Sequence, residues 1–234
     1  MLAVVTIGLV IVAALGFWIA LPYLYRRINV RNLAARCRAS NSVVLTYDDG
    51  PSATFTPELL ELLAEYNAPA TFFVLGVQAD NNSEVVPKIA ANGHEIGSHS
   101  YAHLNAWRDL PWKVANDIEA GVDCLNRKDV EITYFRPPNG KITLATLLQT
   151  WLKRRRMAWW TIDSTDTNPE TIEPEKLAEA VKKAGGGVVL LHDFERSIDK
   201  ERNKFVLEAT RQLLEMAKAE NFSVRTFGQL QQNA

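Results

Sequence analysis

The feature that most constrains this chain is a regular alternation of short apolar runs with amphipathic segments, from residue 43 to the C-terminus. Such alternation is typical of parallel strands joined by right-handed crossover helices. We therefore predict a single α/β domain over residues 41–234, whose strand–helix units can close into a barrel-like sheet. The predicted strands are residues 43–47, 71–75, 95–98, 133–135, 158–162, 188–191 and 223–226, and the predicted helices are residues 56–66, 83–91, 111–126, 144–155, 174–184 and 202–219.

The N-terminal segment differs from the rest because residues 2–25 contain no charged side chain. A helix of about 24 residues, rising about 1.5 Å per residue, would span the roughly 30 Å of bilayer hydrocarbon. Trp18, Tyr23 and Tyr25 fall near its end, where aromatic rings suit the headgroup region. We predict a transmembrane anchor over residues 1–25. A cleaved signal peptide is the alternative, although basic residues before the apolar run are missing.

The charges that follow the uncharged run predict its orientation. A basic linker is expected over residues 26–40, with five arginines: Arg26, Arg27, Arg31, Arg36 and Arg38. Because cationic flanks tend to stay in the cytoplasm, this pattern favours a cytoplasmic catalytic domain. The extracytoplasmic side remains the alternative.

The overall charge argues against one class of partner. The chain has 26 basic and 27 acidic residues, without the basic surplus that nucleic-acid-binding proteins usually carry. We therefore expect no nucleic-acid partner, and no pattern in the sequence identifies a protein partner.

Polar residues suited to hydrolytic chemistry follow five of the predicted strands. In parallel α/β folds the carboxyl ends of the strands carry the functional side chains. A pair of histidines four residues apart can bind one zinc ion or a similar transition metal. Each group also has an ordinary interpretation, such as a turn or a hydrogen-bonded core histidine, but together they predict one site. The groups are Asp48 and Asp49, His99 and His103, Arg136, Asp163 to Asp166, and His192.

These segments resemble the polysaccharide deacetylases of carbohydrate esterase family 4, the NodB homology domain, over about residues 43–226. The runs that carry the resemblance are "TYDDG", "HSYAH", "RPPNG", "DSTD" and "LLH". The resemblance implies a distorted (β/α) barrel of seven to eight strands and a divalent metal ion. Zinc is the expected metal, with cobalt, nickel or iron as alternatives.

The resemblance also implies a role for each matching residue. Asp49, His99 and His103 would bind the metal. Asp48 would be the general base that takes a proton from a metal-bound water, oriented by Arg136. His192 would be the general acid, kept protonated by Asp166. Three further residues would contact substrate: Leu190 in the acyl pocket, Pro138, and Asn139, near a backbone N–H that meets the developing oxyanion.

Two positions depart from the family pattern. Tyr47 replaces the usual phenylalanine, and Thr167 stands where the family often has tryptophan. The second change removes an apolar wall of the site, which Trp159 or Trp160 would have to supply.

The sequence therefore predicts a membrane-anchored, metal-dependent hydrolase that deacetylates an N-acylated amino sugar. The substrate would be a glycan or, if the domain is cytoplasmic, a lipid-linked sugar. Two alternatives remain open at this point. The same site could remove O-acetyl groups from a glycan ester, or the chain could be a catalytically inactive, membrane-tethered carbohydrate-binding protein.

Overall fold

The computed structural model describes residues 2–168, 172–194 and 200–232, with the backbone alone at residues 2–5, 7, 9–15 and 200. Strands and helices alternate after the first helix. The strands are Ser42–Asp48 (β1), Thr71–Val74 (β2), Glu95–Ser98 (β3), Tyr134–Phe135 (β4), Arg156–Met157 (β5), Ile162–Asp163 (β6), Gly187–His192 (β7) and Ser223–Val224 (β8). The helices are Leu2–Ala39 (α1), Phe55–Glu65 (α2), Gly76–Asn81 (α3), Val85–Ala91 (α4), Pro111–Asn126 (α5), Leu144–Leu152 (α6), Pro174–Ala184 (α7), Lys200–Ala219 (α8) and Phe227–Gln232 (α9), and Pro138–Gly140 forms a 3₁₀ turn.

The strands form one parallel sheet that curls but does not close. Seven of them follow the order β5-β4-β3-β2-β1-β7-β6, and β8 pairs with the start of β1. Within the described residues β5 and β6 are the two ends of this path and do not pair with each other. The predicted distorted barrel is therefore confirmed as an open, curled half-barrel.

Alternating residues of β1 and β7 divide the core into an outer and an inner layer. Leu45 and Leu191 belong to the cluster under the helices, whereas Val44 and Val188 belong to the cluster inside the curl. This follows from the period of two along a strand. Because both faces are covered, these strands read in the sequence as continuous apolar runs. Thr46 is also buried on the inner face, closer to the carboxyl edge of the sheet than Val44.

Helix α1 continues through residues 26–39, which were expected to form a linker. Val30, Leu33 and Cys37 form an apolar stripe on one helical face and pack into the inner cluster. The arginines in the same segment made this stripe difficult to recognise in the sequence. Leu33 is 3% exposed and Cys37 is fully buried. The last two turns are therefore part of the domain core.

The direction of α1 matters for the site. Near its C-terminal end, Arg38 lies against Gly185, just before the amino end of β7. Twelve residues earlier Arg26 lies against Gly140, beyond the carboxyl end of β4. Helix α1 therefore runs antiparallel to the strands, and Arg26 lies at the carboxyl edge of the sheet.

In the part of the chain that the structure describes, no helix is both long enough and apolar enough to span a membrane. The predicted anchor over residues 1–25 falls partly on side chains outside the described residues.

One predicted strand is wrong. Residues 158–161 have no strand structure and connect β5 to β6, the two ends of the sheet path. The amide of Ala158 donates to Phe135 at one end, and the amide of Thr161 donates to Val188 at the other. The apolar run therefore crosses the open side of the half-barrel instead of joining the sheet.

Smaller differences concern the helices. Helix α6 ends at Leu152, and Arg154 has a φ of 54°, which does not continue a right-handed helix. The short helices α3 and α9 were not predicted, because neither is long enough to show a clear apolar period.

Candidate active site

The predicted site residues come together at the carboxyl edge of the sheet. Asp48 is the last residue of β1, His192 is the last residue of β7, and the two are register partners. His99 directly follows β3, and Arg136 directly follows β4. Because neighbouring parallel strands end at the same edge, residues separated by about 150 positions become neighbours.

Asp49, His99 and His103 form a compact cluster of potential metal ligands. Oδ1 of Asp49 lies 3.4 Å from Nε2 of His99 and 3.4 Å from Nε2 of His103. One ligand atom from each residue lies within 4.8 Å of the other two. Two ligands bound to zinc at about 2.0–2.1 Å with a tetrahedral angle lie roughly 3.3 Å apart, so the observed separations fit such an ion.

The surroundings of the cluster also fit a cation. Oδ1 of Asp49 is buried and has no hydrogen-bond partner among the described residues, as expected for an oxygen that binds a metal. Nδ1 of His99 lies 2.7 Å from the carbonyl oxygen of Arg136, so the ring can donate there and leave Nε2 free for an ion. Burial lowers the pKa of His99 to about 3, which keeps the imidazole neutral.

Local backbone conformation helps to aim two of these ligands. Asp49 has a φ of 73° and His103 a φ of 61°, both in the left-handed region. Asp and His enter this region more readily than most residues. Non-glycine residues held there often belong to functional sites, because the surrounding structure must maintain the strained conformation.

Asp48 forms a buried pair with Arg136 beside the cluster. Nη1 of Arg136 donates to Oδ1 of Asp48 at 2.7 Å and to Oγ1 of Thr46 at 2.8 Å. Burial raises the pKa of Asp48, and the charge of Arg136 opposes this rise. A carboxylate with a raised pKa is a better proton acceptor than an exposed one. Arg136 is fully buried, with its guanidinium carbon 3.9 Å from the ring centroid of Phe73, so its position is well defined.

His192 forms a second charged pair, with Asp166. Nδ1 of His192 lies 2.7 Å from Oδ1 of Asp166, and the backbone amide of His192 donates to the other oxygen at 3.0 Å. Burial alone would lower the pKa of His192, but the hydrogen bond and charge of Asp166 outweigh it and raise the pKa to about 9. Hence His192 is a proton donor at neutral pH.

The predicted substrate contacts line the same edge. Leu190 lies two residues before His192 on β7, so both face the inside of the curl. Pro138 is buried, and Asn139 is exposed with a φ of 54°. The N–H of Asn139 makes no hydrogen bond with a described residue, which leaves it available to an oxyanion. Their roles stay predictions.

The two departures from the family pattern have local explanations. The hydroxyl of Tyr47, which phenylalanine lacks, lies 2.9 Å from Oγ1 of Thr210 in the core. Thr167 is exposed and supplies no apolar wall. Trp160 lies closer to the site, with its ring centroid 5.7 Å from the guanidinium carbon of Arg136. Trp159 is buried, with 2% of its surface exposed.

The sequence interpretation missed one buried carboxylate, Asp193. It accepts hydrogen bonds from the Gly50 amide at 3.0 Å and from Oγ1 of Thr56 at 2.8 Å. Burial, together with the charges of Asp49 and Asp48, raises its pKa to about 7. A Cβ at position 50 would overlap this carboxylate, which explains the glycine after the Asp pair. The only sequence signal was its place after His192.

An open α/β half-barrel with a cluster of potential metal ligands, a buried Asp–Arg pair and a His–Asp pair at one edge is suited to hydrolysis. Comparison with known proteins places it more closely. Residues 35–152 match the model of the polysaccharide deacetylase family, and the chain belongs to this family. It is accordingly a hydrolase that acts on amide bonds.

Two relatives illustrate the match. The chain is 36% identical over 163 residues to a peptidoglycan-N-acetylglucosamine deacetylase of Bacillus cereus. The aligned region covers 64% of this chain and 72% of the relative. The chain is 32% identical over 158 residues to a chitooligosaccharide deacetylase of Sinorhizobium fredii. This aligned region covers 65% of this chain and 72% of the relative.

A solved structure shows the same fold. The crystal structure of Bc1960, a peptidoglycan N-acetylglucosamine deacetylase, superimposes with a TM-score of 0.73 at 27% identity. The superposition covers 82% of this chain and 89% of that chain.

Proposed function

We propose that this chain is a divalent-metal-dependent deacylase that removes an acyl group, with acetyl as the first candidate, from the nitrogen of an amino sugar. The observation that carries the proposal is the pairing of Asp48 with Arg136 and of His192 with Asp166 next to the cluster of potential metal ligands. The names of the relatives, which act on peptidoglycan and chitooligosaccharides, support an amino sugar as the substrate.

The geometry suggests a division of labour between the two pairs. Asp48 accepts a proton from the attacking water, and Arg136 holds the carboxylate in place. His192 delivers a proton to the departing nitrogen, because an amide anion is too poor a leaving group at neutral pH. A divalent ion at Asp49, His99 and His103 would supply Lewis acidity to the acyl oxygen and the water. The C–N bond breaks, giving a carboxylic acid and the free amine.

The first experiment measures acetate and formate release with and without a chelator. The zinc-loaded full chain is offered N-acetylglucosamine oligomers, soluble N-acyl sugar phosphates and a polyprenyl-diphosphate-linked N-acetylglucosamine. We expect release from at least one class, lost on chelation and restored by zinc. A chain that binds no metal and releases neither acid would contradict the proposed function and favour the carbohydrate-binding alternative.

A second measurement separates amide from ester hydrolysis. An ester alkoxide is a better leaving group than an amide nitrogen and needs less help from an acid. If the true substrate is an O-acetyl ester, the His192→Ala variant should retain most of its activity on it. For the proposed amide substrate, we expect that variant to lose about 10²- to 10⁴-fold in kcat.

We also propose that the domain works at a membrane surface, on the cytoplasmic side, on a lipid-linked sugar. The uncharged run over residues 2–25 and the arginines that follow it support this. Because α1 is antiparallel to the strands, residues 16–25 extend past the edge that holds the metal cluster. A membrane-inserted N-terminus would therefore bring the site towards lipid-linked substrates.

Exposed apolar side chains give further support. Six described residues outside α1 have large apolar side chains that are exposed, and all six fall between residues 107 and 152. They are Trp107, Leu110, Trp112, Leu148, Trp151 and Leu152. Three of them lie on α6, which contacts α1. Exposed tryptophans are typical of membrane interfaces. Cell fractionation and C-terminal reporter fusions test the proposal: a soluble chain contradicts the anchor, and a reporter active only outside the cytoplasm contradicts the orientation.

A further inference from the structure

Arg26 of the N-terminal helix lies at the rim of the active site, although it precedes the residues that match the family model. The match begins at residue 35. A Cβ built at Gly140 would lie 3.3 Å from both Nε and Nη2 of Arg26. Gly140 closes the 3₁₀ turn that follows Arg136 and contains Asn139. The guanidinium is thus next to the loop predicted to contact substrate.

One aromatic ring separates Arg26 from the buried arginine of the site. The guanidinium carbon of Arg26 is 5.2 Å from the ring centroid of Trp160, and that of Arg136 is 5.7 Å from the same centroid. The two carbons therefore lie no more than the sum of these distances apart, about 11 Å. Trp159 also contacts Arg26, at 5.6 Å. Both distances are in the range of cation–π contacts, so the two rings help to position the guanidinium.

The charge of Arg26 is not neutralised by a direct partner. Within the described part of the chain it makes no ion pair and no hydrogen bond, and its Nε is buried without a partner. Asp163 is the carboxylate that acts on it electrostatically, without forming an ion pair. A guanidinium without an acceptor is unusual at a partly buried position, since its donors need one.

A second cation lies beside it. Lys141 follows Gly140, its Nζ is 4.1 Å from the ring centroid of Trp107, and it makes no ion pair with a described residue. Arg26, Lys141, Trp107 and Tyr23 contribute to the lining of one small cavity. Two cations and four aromatic rings therefore meet at one side of the site, and Asp163 is the acidic group near them.

We propose that Arg26 and Lys141 form an anion-binding subsite that holds a phosphate group attached to the amino sugar. The inference rests on the proposed deacylase function and narrows its substrate to a phosphorylated or diphosphate-linked N-acyl amino sugar. A guanidinium fork matches phosphate oxygens in a bidentate way. The guanidinium carbon of Arg26 lies within about 11 Å of that of Arg136, so a phosphate bound by Arg26 stays close to the reacting acyl group.

The test compares a charged with a neutral substrate. The zinc-loaded full chain is assayed with N-acetylglucosamine 1-phosphate and with methyl N-acetylglucosaminide. We expect Arg26→Gln to raise KM for the phosphate about tenfold, with kcat and the neutral substrate unchanged. Arg26→Lys should recover part of the effect. Arg27→Gln is the matched control, since Arg27 is the exposed next residue and carries the same charge.

Calorimetric titration keeps the subsite testable without turnover. Glucosamine 1-phosphate should bind the wild-type protein and the Arg27→Gln variant about tenfold more tightly than it binds the Arg26→Gln variant. If no substrate is deacylated, the proposed function fails, and this titration still decides the subsite. Three outcomes would overturn the subsite. Arg26→Gln could reduce activity equally on the charged and the neutral substrate, or Arg26→Gln and Arg27→Gln could have equal effects on KM. The third outcome is that the wild type and both variants bind glucosamine 1-phosphate equally tightly.

A parallel assay identifies the source of the phosphate. The wild type and Arg26→Gln are compared on polyprenyl-diphosphate-linked N-acetylglucosamine in detergent. A KM effect on both phosphate-bearing substrates indicates recognition of the phosphate itself. An effect on the lipid-linked substrate alone indicates a carrier diphosphate, and no effect on either contradicts the proposal.

Discussion

Replacing Asp166 with asparagine should move the alkaline limb of the pH–rate profile to lower pH. Asparagine keeps the size of the side chain but removes the charge 2.7 Å from Nδ1 of His192. Burial lowers the pKa of His192, and Asp166 is the main group that overcomes this and raises the pKa from 6.5 to about 9. This difference corresponds to roughly 3 kcal/mol between the two protonation states.

The sign and size of the effect follow from this pKa. The acid form of His192 is present below its pKa and is lost as the pH rises through it. At pH 7.5 nearly all of the wild-type imidazole is protonated, whereas a pKa of 6.5 or less leaves about a tenth or less. We therefore expect kcat/KM for an amide substrate to fall about tenfold or more at pH 7.5 and to recover towards pH 6.

The assay is acetate release between pH 5.5 and 9.5 for the wild type, Asp166→Asn and Asp123→Asn. Asp123 is exposed on α5, so its variant controls for the loss of one carboxylate. Urea unfolding of each protein separates an effect on catalysis from an effect on stability. If the alkaline limb of Asp166→Asn coincides with that of the wild type, His192 is not an acid whose charge depends on Asp166.

Three other substitutions test separate parts of the structure. Asp48→Asn should lower kcat by about 10²- to 10⁴-fold and leave the bound metal unchanged by metal analysis; full activity would exclude Asp48 as the base. His103→Ala should weaken metal binding while circular dichroism stays as in the wild type, and an unchanged metal affinity would remove His103 from the ligands. Leu33→Ala should reduce the free energy of unfolding by about 2–5 kcal/mol, and a change well below 1 kcal/mol would contradict the packing of α1.

The convergence of the site residues could be predicted because it depends on a local signal and a general rule. Asp48, His99, Arg136 and His192 each follow a short apolar run, which identifies the end of a strand. Parallel strands place all such ends at one edge, so the sequence order of the groups is enough to bring them together. The same reasoning predicted the parallel sheet.

Features that depend on contacts between distant segments could not be predicted in this way. Residues 158–161 have the composition of a strand, but their path depends on which sheet edges β5 and β6 join. The burial of Asp193 depends on Thr56 and Gly50, more than 130 positions away. The periodicity of Val30, Leu33 and Cys37 was present, but the arginines between them suggested a linker.

The open side of the sheet explains why α1 reaches the active site. Residues 158–161 cross this opening, and the α1 stripe packs against Trp159 within it. The residues from Arg26 to Ala39 rise about 20 Å, close to the length of a six-residue strand such as β7. A helix that runs antiparallel to the strands and ends at the amino edge of the sheet therefore has position 26 at the carboxyl edge. One extra helical turn after Arg26 would move its guanidinium about 5.4 Å past Trp160 while Leu33 kept its place in the core.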